Sequence, residues 1–468
     1  MSSTEFDVLI VGSGPAGQHA ALQAAQLGKR AGIIERKPRI GGAGLQTGTI
    51  PSKALREVAY LTSRAGRGGM RNALAAQSAH QHGLLAEAIR HKEIIIAQQE
   101  SVILNRLMRC GVSLIPGEAS FVDAHTLCVS STQGEQQHFR AQSIILATGS
   151  RPRRPLNVPF DKQTVLDSTS ILKIRHLPGS MMIVGGGVIA CEFACIFAAL
   201  GVEVGVIDSH EQVLSYLSHD VVSALTDAML SAGVTFYLNT KVIDVRKEGN
   251  RVFSYLEGGD KLESDSLLYA QGREPNSNYL KLEQAGVECD GAWIQTNACF
   301  QTSVPHIYAV GDLIGRPSLA ATGMEQGRLA VMHACGESVA DMDANMPMAI
   351  YTIPELSYVG KTEHELKQMG VDYVVGKGRF RDSARGQIIG DETGLLKLNV
   401  ERSSGKIMGV HIVGESASEL IHIGQLVMNL GGTVEDLVNN VFNYPTLAEC
   451  YKLAAADCLQ KLHLPPQV

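Results

Sequence analysis

The chain has 468 residues, a net charge of −6, 45% hydrophobic residues and 19% charged residues. This length is too great for one hydrophobic core and predicts about three domains of globular composition. The modest charge argues against nucleic-acid binding, and no apolar run approaches the roughly 18 residues that span a bilayer. Nine scattered cysteines and a polar start without a signal-peptide pattern favour a reducing compartment, so we expect a cytoplasmic protein.

Two segments repeat one pattern: an apolar run, a glycine cluster, a helical stretch and a second apolar run that ends in an acid. In the first segment GSGPAG at 12–17 is followed by Glu35, and in the second GGGVIA at 185–190 is followed by Asp208. Each acid lies 23 positions after the first glycine of its cluster. Strand, turn, helix and strand in this order, found twice, predict two dinucleotide-binding domains.

The glycines of both clusters suit phosphate cradles. Gly12 permits the tight turn, Gly14 lets the backbone approach a pyrophosphate, and Gly17 lets the helix pack close to the strand. Gly185 and Gly187 stand in the first two of these positions in the second cluster. The helix that follows each cluster offers free N–H groups and a partial positive charge to a phosphate.

The two acids indicate what each cradle binds. Glu35 and Asp208 end the second strand of their units, where a carboxylate accepts hydrogen bonds from ribose hydroxyls. Asp208 suits NAD and would repel the 2′-phosphate of NADP, which normally needs an arginine or lysine nearby. Ser209, His210 and Glu211 follow it without a fixed positive charge. The second cradle therefore favours NAD(H), and use of NADP(H) as well stays open.

Between and beyond the two units the chain alternates helices and strands. Residues 53–110 have a mainly helical pattern, interrupted by a Gly- and Ala-rich stretch at 66–76. Residues 114–146 have the pattern of short strands, which end at ATGSRP at 147–152. The final 120 or so residues alternate strand-like runs with helices, and we interpret them as a third domain.

The segment GGAGLQTGTIPSKAL at 41–55, with both cradles, ATGSRP and YAVGD at 308–312, resembles the pyridine nucleotide-disulfide oxidoreductase family. That family includes dihydrolipoamide dehydrogenase and glutathione reductase, and the resemblance covers essentially the whole chain. It implies FAD at the first cradle, a nicotinamide nucleotide at the second, and a homodimer. The implied fold is α/β, with two Rossmann-like dinucleotide-binding domains and an α+β dimerisation domain at the C-terminal end. The expected domains are an FAD-binding domain in two segments at 1–150 and 271–345, an NAD(P)-binding domain at 151–270 and a dimerisation domain at 346–468.

Two parts of the family's disulfide machinery differ here. Gly44 and Thr49 stand where the family has its two redox cysteines, and neither side chain forms a thiolate or a disulfide. Tyr444 stands where the family has an acid–base histidine, although Glu449 behind it is retained. A phenol is a far weaker acid than an imidazolium and is poorly suited to protonating a thiolate. Reduction of lipoamide or glutathione is therefore excluded on chemical grounds.

The resemblance implies the remaining site residues. Lys53 and Glu192 form an ion pair beside the flavin N5 atom, where a cation stabilises developing negative charge. Asp312 binds the ribityl chain, Ala119 lies near the adenine, and the helix that starts near Thr322 points its N-terminus at the flavin N1–O2 edge. Further cofactor-binding positions are Thr148, Gly149, Gly272 and Gly311. No metal site is expected.

Three functions remain open at this stage. GTIPSKALR together with NYPTLAE is similar to the soluble pyridine nucleotide transhydrogenases, which usually keep a cysteine at the position of Gly44. We therefore expect FAD-dependent hydride transfer from NAD(P)H to a non-disulfide acceptor, in the first place the other nicotinamide nucleotide. The alternative is an NADH:quinone or dye reductase, in which a small aromatic acceptor enters the space that the dithiol vacated. The third is a non-turnover NADH-binding flavoprotein that acts as a redox sensor.

Overall fold

The computed structural model describes residues 4–65, 78–315, 317–339, 342 and 345–463. The Gly- and Ala-rich stretch at 66–76 lies outside the described residues. Within them no helix is both long and apolar enough to cross a membrane. The same part of the chain brings no three His, Cys, Asp or Glu side chains together as a metal site would require.

The first glycine cluster lies in a sheet that has seven strands within the described residues. These are β1 (Thr4–Val11), β2 (Ala31–Glu35), β3 (Ser113–Pro116), β4 (Glu118–Asp123), β5 (Thr126–Ser130), β6 (Gln136–Leu146) and β19 (Ile307–Ala309). The order is β3-β2-β1-β6-β5-β4, with β19 also paired to β6. β1, β2, β3, β6 and β19 run parallel, while β4, β5 and β6 form an antiparallel meander. The parallel strand ends therefore meet at one edge, where the predicted cradle lies.

Helices cover this sheet and bring the cradle close to a distant segment. They are α1 (Pro15–Gln26), α2 (Gly42–Gln46), α3 (Thr49–Ala65), α4 (Ser78–Arg109) and α7 (Ala320–Ala334). α1 and α7 cross with almost no space between their backbones, since a Cβ added at Gly327 would lie 2.2 Å from the carbonyl oxygen of Ala16. This close crossing requires glycine and holds the start of α7 beside the first cradle.

The second glycine cluster lies in a parallel sheet of the order β11-β10-β9-β15-β8. Its strands are β8 (Val165–Asp167), β9 (Ser180–Val184), β10 (Glu203–Ile207), β11 (Val234–Tyr237) and β15 (Ser266–Tyr269). An antiparallel sheet is formed by β12 (Val242–Glu248), β13 (Arg251–Leu256) and β14 (Lys261–Ser264). The helices of this part are α5 (Val188–Ala199) and α6 (His219–Ser231). α5 is apolar on nearly every side, which explains why it is buried between the sheet and α3.

The chain crosses between the two cradle domains twice, and the crossings lie side by side. β7 (Ser150–Pro152) pairs antiparallel with β16 (Arg273–Pro275). A small hairpin of β17 (Cys289–Asp290) and β18 (Trp293–Ile294) follows the return. On this basis we propose the domain bounds 1–150 and 271–345 for the FAD domain, 151–270 for the NAD domain and 346–468 for the dimerisation domain.

The last part of the chain forms an antiparallel sheet of the order β20-β21-β24-β23-β22. The strands are β20 (Met348–Ile350), β21 (Glu355–Gly360), β22 (Tyr373–Arg379), β23 (Leu395–Glu401) and β24 (Ile407–Gly414). The helices are α8 (Glu363–Gln368), α9 (Ala384–Ile389), α10 (Ala417–Asn429), α11 (Val434–Asn439) and α12 (Glu449–Leu462). Short 3-10 turns complete the described elements at Ile171–Lys173, Leu282–Gln284, Gly311–Ile314 and Phe380–Asp382.

A fully buried lysine joins the dimerisation domain to the NAD domain. The ammonium of Lys397 on β23 lies 2.7 Å from Asp220 Oδ1 and 2.7 Å from Glu363 Oε1. Asp220 belongs to the first turn of α6, and its other oxygen lies 2.8 Å from the ammonium of Lys377. A buried ammonium is tolerated only when it is paired, so this cluster fixes where α6 docks on the sheet.

The cluster predicts a specific loss of stability in acid. Burial by itself would raise the pKa of Asp220, but Lys377 and Lys397 hold it at about 2. The unfolded value is about 3.9, so this stabilisation is present above about pH 4 and is lost as the pH falls towards 2. Lys397→Met removes one of the two lysines, and we expect the thermal unfolding midpoint at neutral pH to fall by about 4 °C, with a smaller further loss between pH 4 and 2.

The matched control is Lys361→Met, which removes a half-exposed lysine 3.8 Å from Glu365 in the same domain. An exposed pair of this kind contributes less than about 1 kcal/mol, so its midpoint should move by less than about 2 °C. Equal shifts for Lys397→Met and Lys361→Met would show that the buried cluster does not hold the two domains together.

Candidate active site

The turn after β1 is shaped by two glycines. Gly12 has φ +107°, and a Cβ at this position would lie 2.4 Å from the carbonyl oxygen of Ala147. A Cβ at Gly17 would lie 1.9 Å from the carbonyl oxygen of Gly12, so the first turn of α1 packs directly on the loop. α1 begins at Pro15, which has no N–H group to leave unpaired at the first helical position. The loop and the helix N-terminus together form the predicted phosphate cradle.

Glu35 is held at the carboxyl end of β2 by the same loop. Its Oε2 atom accepts hydrogen bonds from the backbone N–H of Ser13 at 3.0 Å and from Ser13 Oγ at 2.6 Å. Its Oε1 atom accepts one from the backbone N–H of Lys37 at 2.8 Å. Ser13 Oγ also accepts from the N–H of Gly41, which precedes α2. The sequence analysis missed Ser13, because its role depends on a partner 22 residues away.

A cleft of about 1300 Å³ extends from this cradle to the NAD domain. It brings together most of the predicted site residues, namely Gly12, Gly14, Glu35, Lys53, Ala119, Thr148, Gly149, Glu192, Gly311 and Asp312. Among the described residues, the predicted positions that do not line the cleft are Gly17, Gly185, Gly187, Asp208, Gly272 and Thr322. Gly17 lies behind the cradle, and Gly185, Gly187 and Asp208 belong to the second cradle.

A hydrogen-bonded group at the two domain crossings shapes the middle of the cleft. Asp312 Oδ2 accepts a hydrogen bond from Ser150 Oγ at 2.6 Å, and Arg273 Nε donates to the same Ser150 Oγ at 2.7 Å. Thr148 Oγ1 donates to the carbonyl oxygen of Asn276 at 2.9 Å, and Asn276 Nδ2 donates back to the Thr148 carbonyl at 3.0 Å. The sequence identified Thr148 and Asp312, whereas the other three residues follow only from the pairing of β7 with β16.

The N-terminus of α7 also borders the cleft. The helix begins at Ala320, two residues before the predicted start near Thr322. Thr322 lies buried in the first turn, with Oγ1 3.5 Å from Met346 Sδ, and is turned away from the cleft lining. Gln326 in the next turn accepts a hydrogen bond from the N–H of Gly311 at 2.7 Å. The helix is thereby fixed to the loop that carries Asp312.

An ion pair closes the cleft where all three domains meet. Lys53 Nζ on α3 lies 2.8 Å from Oε1 and 2.7 Å from Oε2 of Glu192 on α5. Glu192 is only 5% exposed, and its Oε1 atom also accepts a hydrogen bond from the backbone N–H of Tyr351 at 2.9 Å. The Lys53 ammonium lies 4.6 Å from the centroid of the Tyr351 ring. Tyr351 lies just beyond β20 in the dimerisation domain, and nothing in the sequence near it indicated this contact.

Gly44 packs closely against Pro15 of the first cradle. Gly44 lies inside α2, and a Cβ at this position would lie 2.7 Å from Cγ and 3.1 Å from Cδ of Pro15. A cavity of about 270 Å³ adjoins the cleft here, and both are lined by Pro15, Gly44, Thr49 and Ala320. Its walls also carry Gln18, His19, Leu22, Leu45, Gln99, Val102, Ile103, Arg106, Leu107 and Met324. Burial lowers the pKa of His19, and Arg106 lowers it further.

The second cradle is held together by Asp208. Gly185 has φ +114°, and α5 begins three residues later. Asp208 Oδ2 accepts a hydrogen bond from the N–H of Gly186 at 2.5 Å. A Cβ at Gly186 would lie 2.9 Å from Asp208 Cγ, so glycine is needed for this contact. The other oxygen, Oδ1, contacts the backbone N–H and the ring Nδ1 of His210. The sequence analysis did not single out His210 as a site residue.

Two cradles, a connecting cleft and a lysine–glutamate pair between the domains define a flavoprotein oxidoreductase. The model of the pyridine nucleotide-disulphide oxidoreductase family matches residues 6–327, and the model of that family's dimerisation domain matches residues 346–455. The chain belongs to this family. It binds FAD and nicotinamide nucleotides and forms a homodimer, as the sequence analysis predicted.

Individual relatives and solved structures are similar to almost the whole chain. The soluble pyridine nucleotide transhydrogenase of Mycobacterium bovis (strain BCG / Pasteur 1173P2) is 44% identical over 462 residues, which cover 98% of each chain. That of Erwinia tasmaniensis is 39% identical over 465 residues, covering 98% of this chain and 99% of the relative. Among solved structures, LpdA from Mycobacterium tuberculosis superposes with a TM-score of 0.89 at 27% identity, covering 97% of this chain and 99% of LpdA. The Cu(II) complex of the HOCl-induced flavoprotein disulfide reductase RclA from Escherichia coli gives 0.87 at 26% identity, with the same coverage. The predicted family and fold class are confirmed.

The geometry of the ion pair leads to a kinetic prediction. Lys53→Met removes the cation that Glu192 binds, and we expect the rate constant for bleaching of the flavin absorbance by NADH to fall about 10²-fold. The rate constant is measured on the flavin-bound fraction, because unpairing the buried Glu192 also weakens the contact between the domains. Arg64→Met is the matched control, because it removes an exposed cation from the same helix, and it should keep the parent rate constant. Equal rate constants for Lys53→Met and the parent would remove Lys53 from the site.

The contact of Gly44 with Pro15 leads to a stability prediction. Gly44 is helical and not left-handed, so Gly44→Ala would by helix propensity stabilise the protein by about 1 kcal/mol. The clash with the Pro15 ring should reverse this sign and cost about 1–3 kcal/mol, measured as a lower thermal midpoint. In a Pro15→Ala background the same substitution should cost much less. An equal cost in both backgrounds would contradict the steric explanation.

Proposed function

We propose that the protein is an FAD-dependent transhydrogenase that moves hydride between NAD(H) and NADP(H) by a ping-pong route. The observation that carries the proposal is the intact Lys53–Glu192 pair in a chain where Gly44 and Thr49 replace a dithiol. One site for hydride exchange is then left for both nucleotides, which use it in turn. The relatives from M. bovis and E. tasmaniensis bear the name of this activity and align over almost their whole length.

FAD, when bound in the cleft, supplies the two-electron hydride chemistry. The residues of the chain supply position and charge. Glu192 holds the Lys53 ammonium with both carboxylate oxygens, and the backbone N–H of Tyr351 fixes the Glu192 side chain in turn. The ammonium thereby has one position at the wall of the cleft, ready to stabilise negative charge without reorganisation. The N-terminus of α7 at Ala320 adds a second positive potential on the cleft wall.

The proton requirement of the reaction supports the same assignment. Transfer of hydride from NADPH to NAD⁺ yields NADP⁺ and NADH, and no proton enters or leaves. Reduction of a disulfide to two thiols needs protons as well as electrons, and therefore an acid near the sulfur atoms. A chain with Tyr444 in place of the histidine lacks that acid, yet loses nothing that transhydrogenation requires.

Another dithiol could in principle have replaced the missing one, and Cys191 and Cys195 lie on α5 next to Glu192. Both are buried, and Cys191 Sγ lies 3.7 Å from the carbonyl oxygen of Gly186. Burial raises the pKa of the Cys195 thiol to about 12 and raises that of Cys191 as well. Neither forms the thiolate that disulfide exchange requires at neutral pH. A non-disulfide acceptor is therefore part of the proposal.

A second candidate function is an NADH:quinone or dye reductase. It is favoured by the cavity of about 270 Å³ beside Gly44, which adjoins the cleft and is mainly apolar. A small aromatic acceptor with an anionic group would find Arg106 and His19 on its walls. The transhydrogenase remains the first proposal because its relatives align along the full chain.

All nine cysteines lie in the described residues and none forms a disulfide. A chain rich in free thiols suits a reducing compartment. We therefore propose the cytoplasm as its location.

The test is anaerobic stopped-flow with the purified holoenzyme. NADH and NADPH should each bleach the flavin absorbance, and a thio-analogue of NAD⁺ should restore it at a rate that matches steady-state turnover. Double-reciprocal plots with both nucleotides varied should give parallel lines, as a ping-pong route requires. Recovery with a quinone but not with the nucleotide analogue would favour the second candidate. Bleaching that no acceptor reverses would favour the redox-sensor hypothesis.

A further inference from the structure

The carboxylate of Asp208 is already occupied by groups of the protein. Oδ2 accepts from the N–H of Gly186 at 2.5 Å, and Oδ1 accepts from the backbone N–H of His210 at 2.9 Å. The ring Nδ1 of His210 lies 2.6 Å from the same Oδ1. With the residue only 9% exposed, its charge faces the glycine turn and the imidazole. Asp208 is therefore not a free carboxylate, although it keeps its negative charge.

The side chain of His210, unlike that of Asp208, is exposed. Its side chain is 61% exposed, and with Nδ1 on Asp208 the ring leaves Nε2 without a partner in the described part of the chain. The loop around it is fixed, because the N–H of Asn239 donates to the His210 carbonyl at 3.0 Å and that of Thr240 donates to the Asp208 carbonyl at 3.1 Å. The ring thus holds an exposed nitrogen beside the position where a Rossmann unit binds the adenosine ribose.

We propose that His210 is the specificity residue that lets the second cradle accept NADP(H) as well as NAD(H). The Nε2–H of the imidazolium donates to the 2′-phosphate, while Nδ1–H stays on the Asp208 carboxylate. An imidazolium has donors at both nitrogens, so one ring serves both contacts. The inference rests on the proposed function, because only a transhydrogenase must admit both nucleotides to this cradle.

The other charges around the loop leave it with a net negative charge. Asp208 and Glu211 within the loop are negative, and Lys241 on the adjoining segment is positive. The phenol of Tyr237 ends the neighbouring strand, and residues 185–190 of the cradle carry no charge. Without a cation at His210 this net charge opposes a 2′-phosphate, whereas a ribose hydroxyl is unaffected.

The experiment is calorimetric binding of 2′,5′-ADP and of 5′-AMP to the holoenzyme of the parent and of two His210 variants. The two ligands differ by the 2′-phosphate, so the ratio of their affinities isolates its contribution. In the parent, 2′,5′-ADP should bind about tenfold more tightly than 5′-AMP.

Two variants of the same residue complete the test. His210→Gln removes the imidazole and should weaken binding of 2′,5′-ADP about tenfold, while the affinity for 5′-AMP should change by less than about twofold. His210→Arg carries a fixed charge and should bind 2′,5′-ADP at least as tightly as the parent does. Flavin content and the flavin spectrum report whether each variant is folded. Unchanged 2′,5′-ADP affinity in folded His210→Gln would overturn the inference.

The outcome is separable from that of the proposed function. The enzyme could turn over NADPH with the NAD⁺ analogue while the His210 variants bind 2′,5′-ADP as the parent does. This result would overturn the role of His210 and leave the transhydrogenase assignment in place. Binding of 2′,5′-ADP that depends on His210, without turnover between the nucleotides, would have the reverse meaning.

Discussion

The ion pair between Lys53 and Glu192 is the contact on which the arrangement of the cleft depends. It joins α3 of the FAD domain to α5 of the NAD domain, and the N–H of Tyr351 adds the dimerisation domain. A carboxylate that is 5% exposed is strongly destabilising when unpaired, so the domains are held where Glu192 meets its cation. The first cradle and the start of α5 then border one cleft.

A second buried ion cluster holds the NAD domain to the dimerisation domain. Lys397 is fully buried and contacts Asp220 of that domain and Glu363 of the dimerisation domain. The Lys53–Glu192 pair and the Lys397 cluster each place a buried charge at a domain boundary. In both, an opposite charge from the neighbouring domain pairs with it. Together with the paired crossings β7 and β16, they fix where the domains meet around the cleft.

The sequence predicted what depends on local backbone geometry and missed what depends on contacts across domains. Gly12 and Gly17 could be assigned because a tight turn before a helix has few sequence solutions. Tyr351 and Arg273 could not, since each acts on a residue more than 100 positions away. Asp208 lies beside the second glycine cluster, but the sequence analysis treated its carboxylate as free. The hydrogen bonds from Gly186 and His210 that occupy it are visible only in three dimensions.

The loss of the disulfide machinery and the retention of the hydride site have one physical explanation. Disulfide reduction needs a nucleophilic thiolate, a second thiol and a proton donor, and a chain without the first two gains nothing from keeping the third. In the proposed function, hydride exchange between two nicotinamide rings needs only alignment and a stabilising charge, and we propose that Lys53 supplies the charge. Because the two nucleotides differ only by a phosphate on the ribose, our proposal places discrimination between them far from the flavin, in the loop after β10. A site that must release each nucleotide to admit the other would be served by a histidine, whose attraction for the phosphate is weaker than that of an arginine.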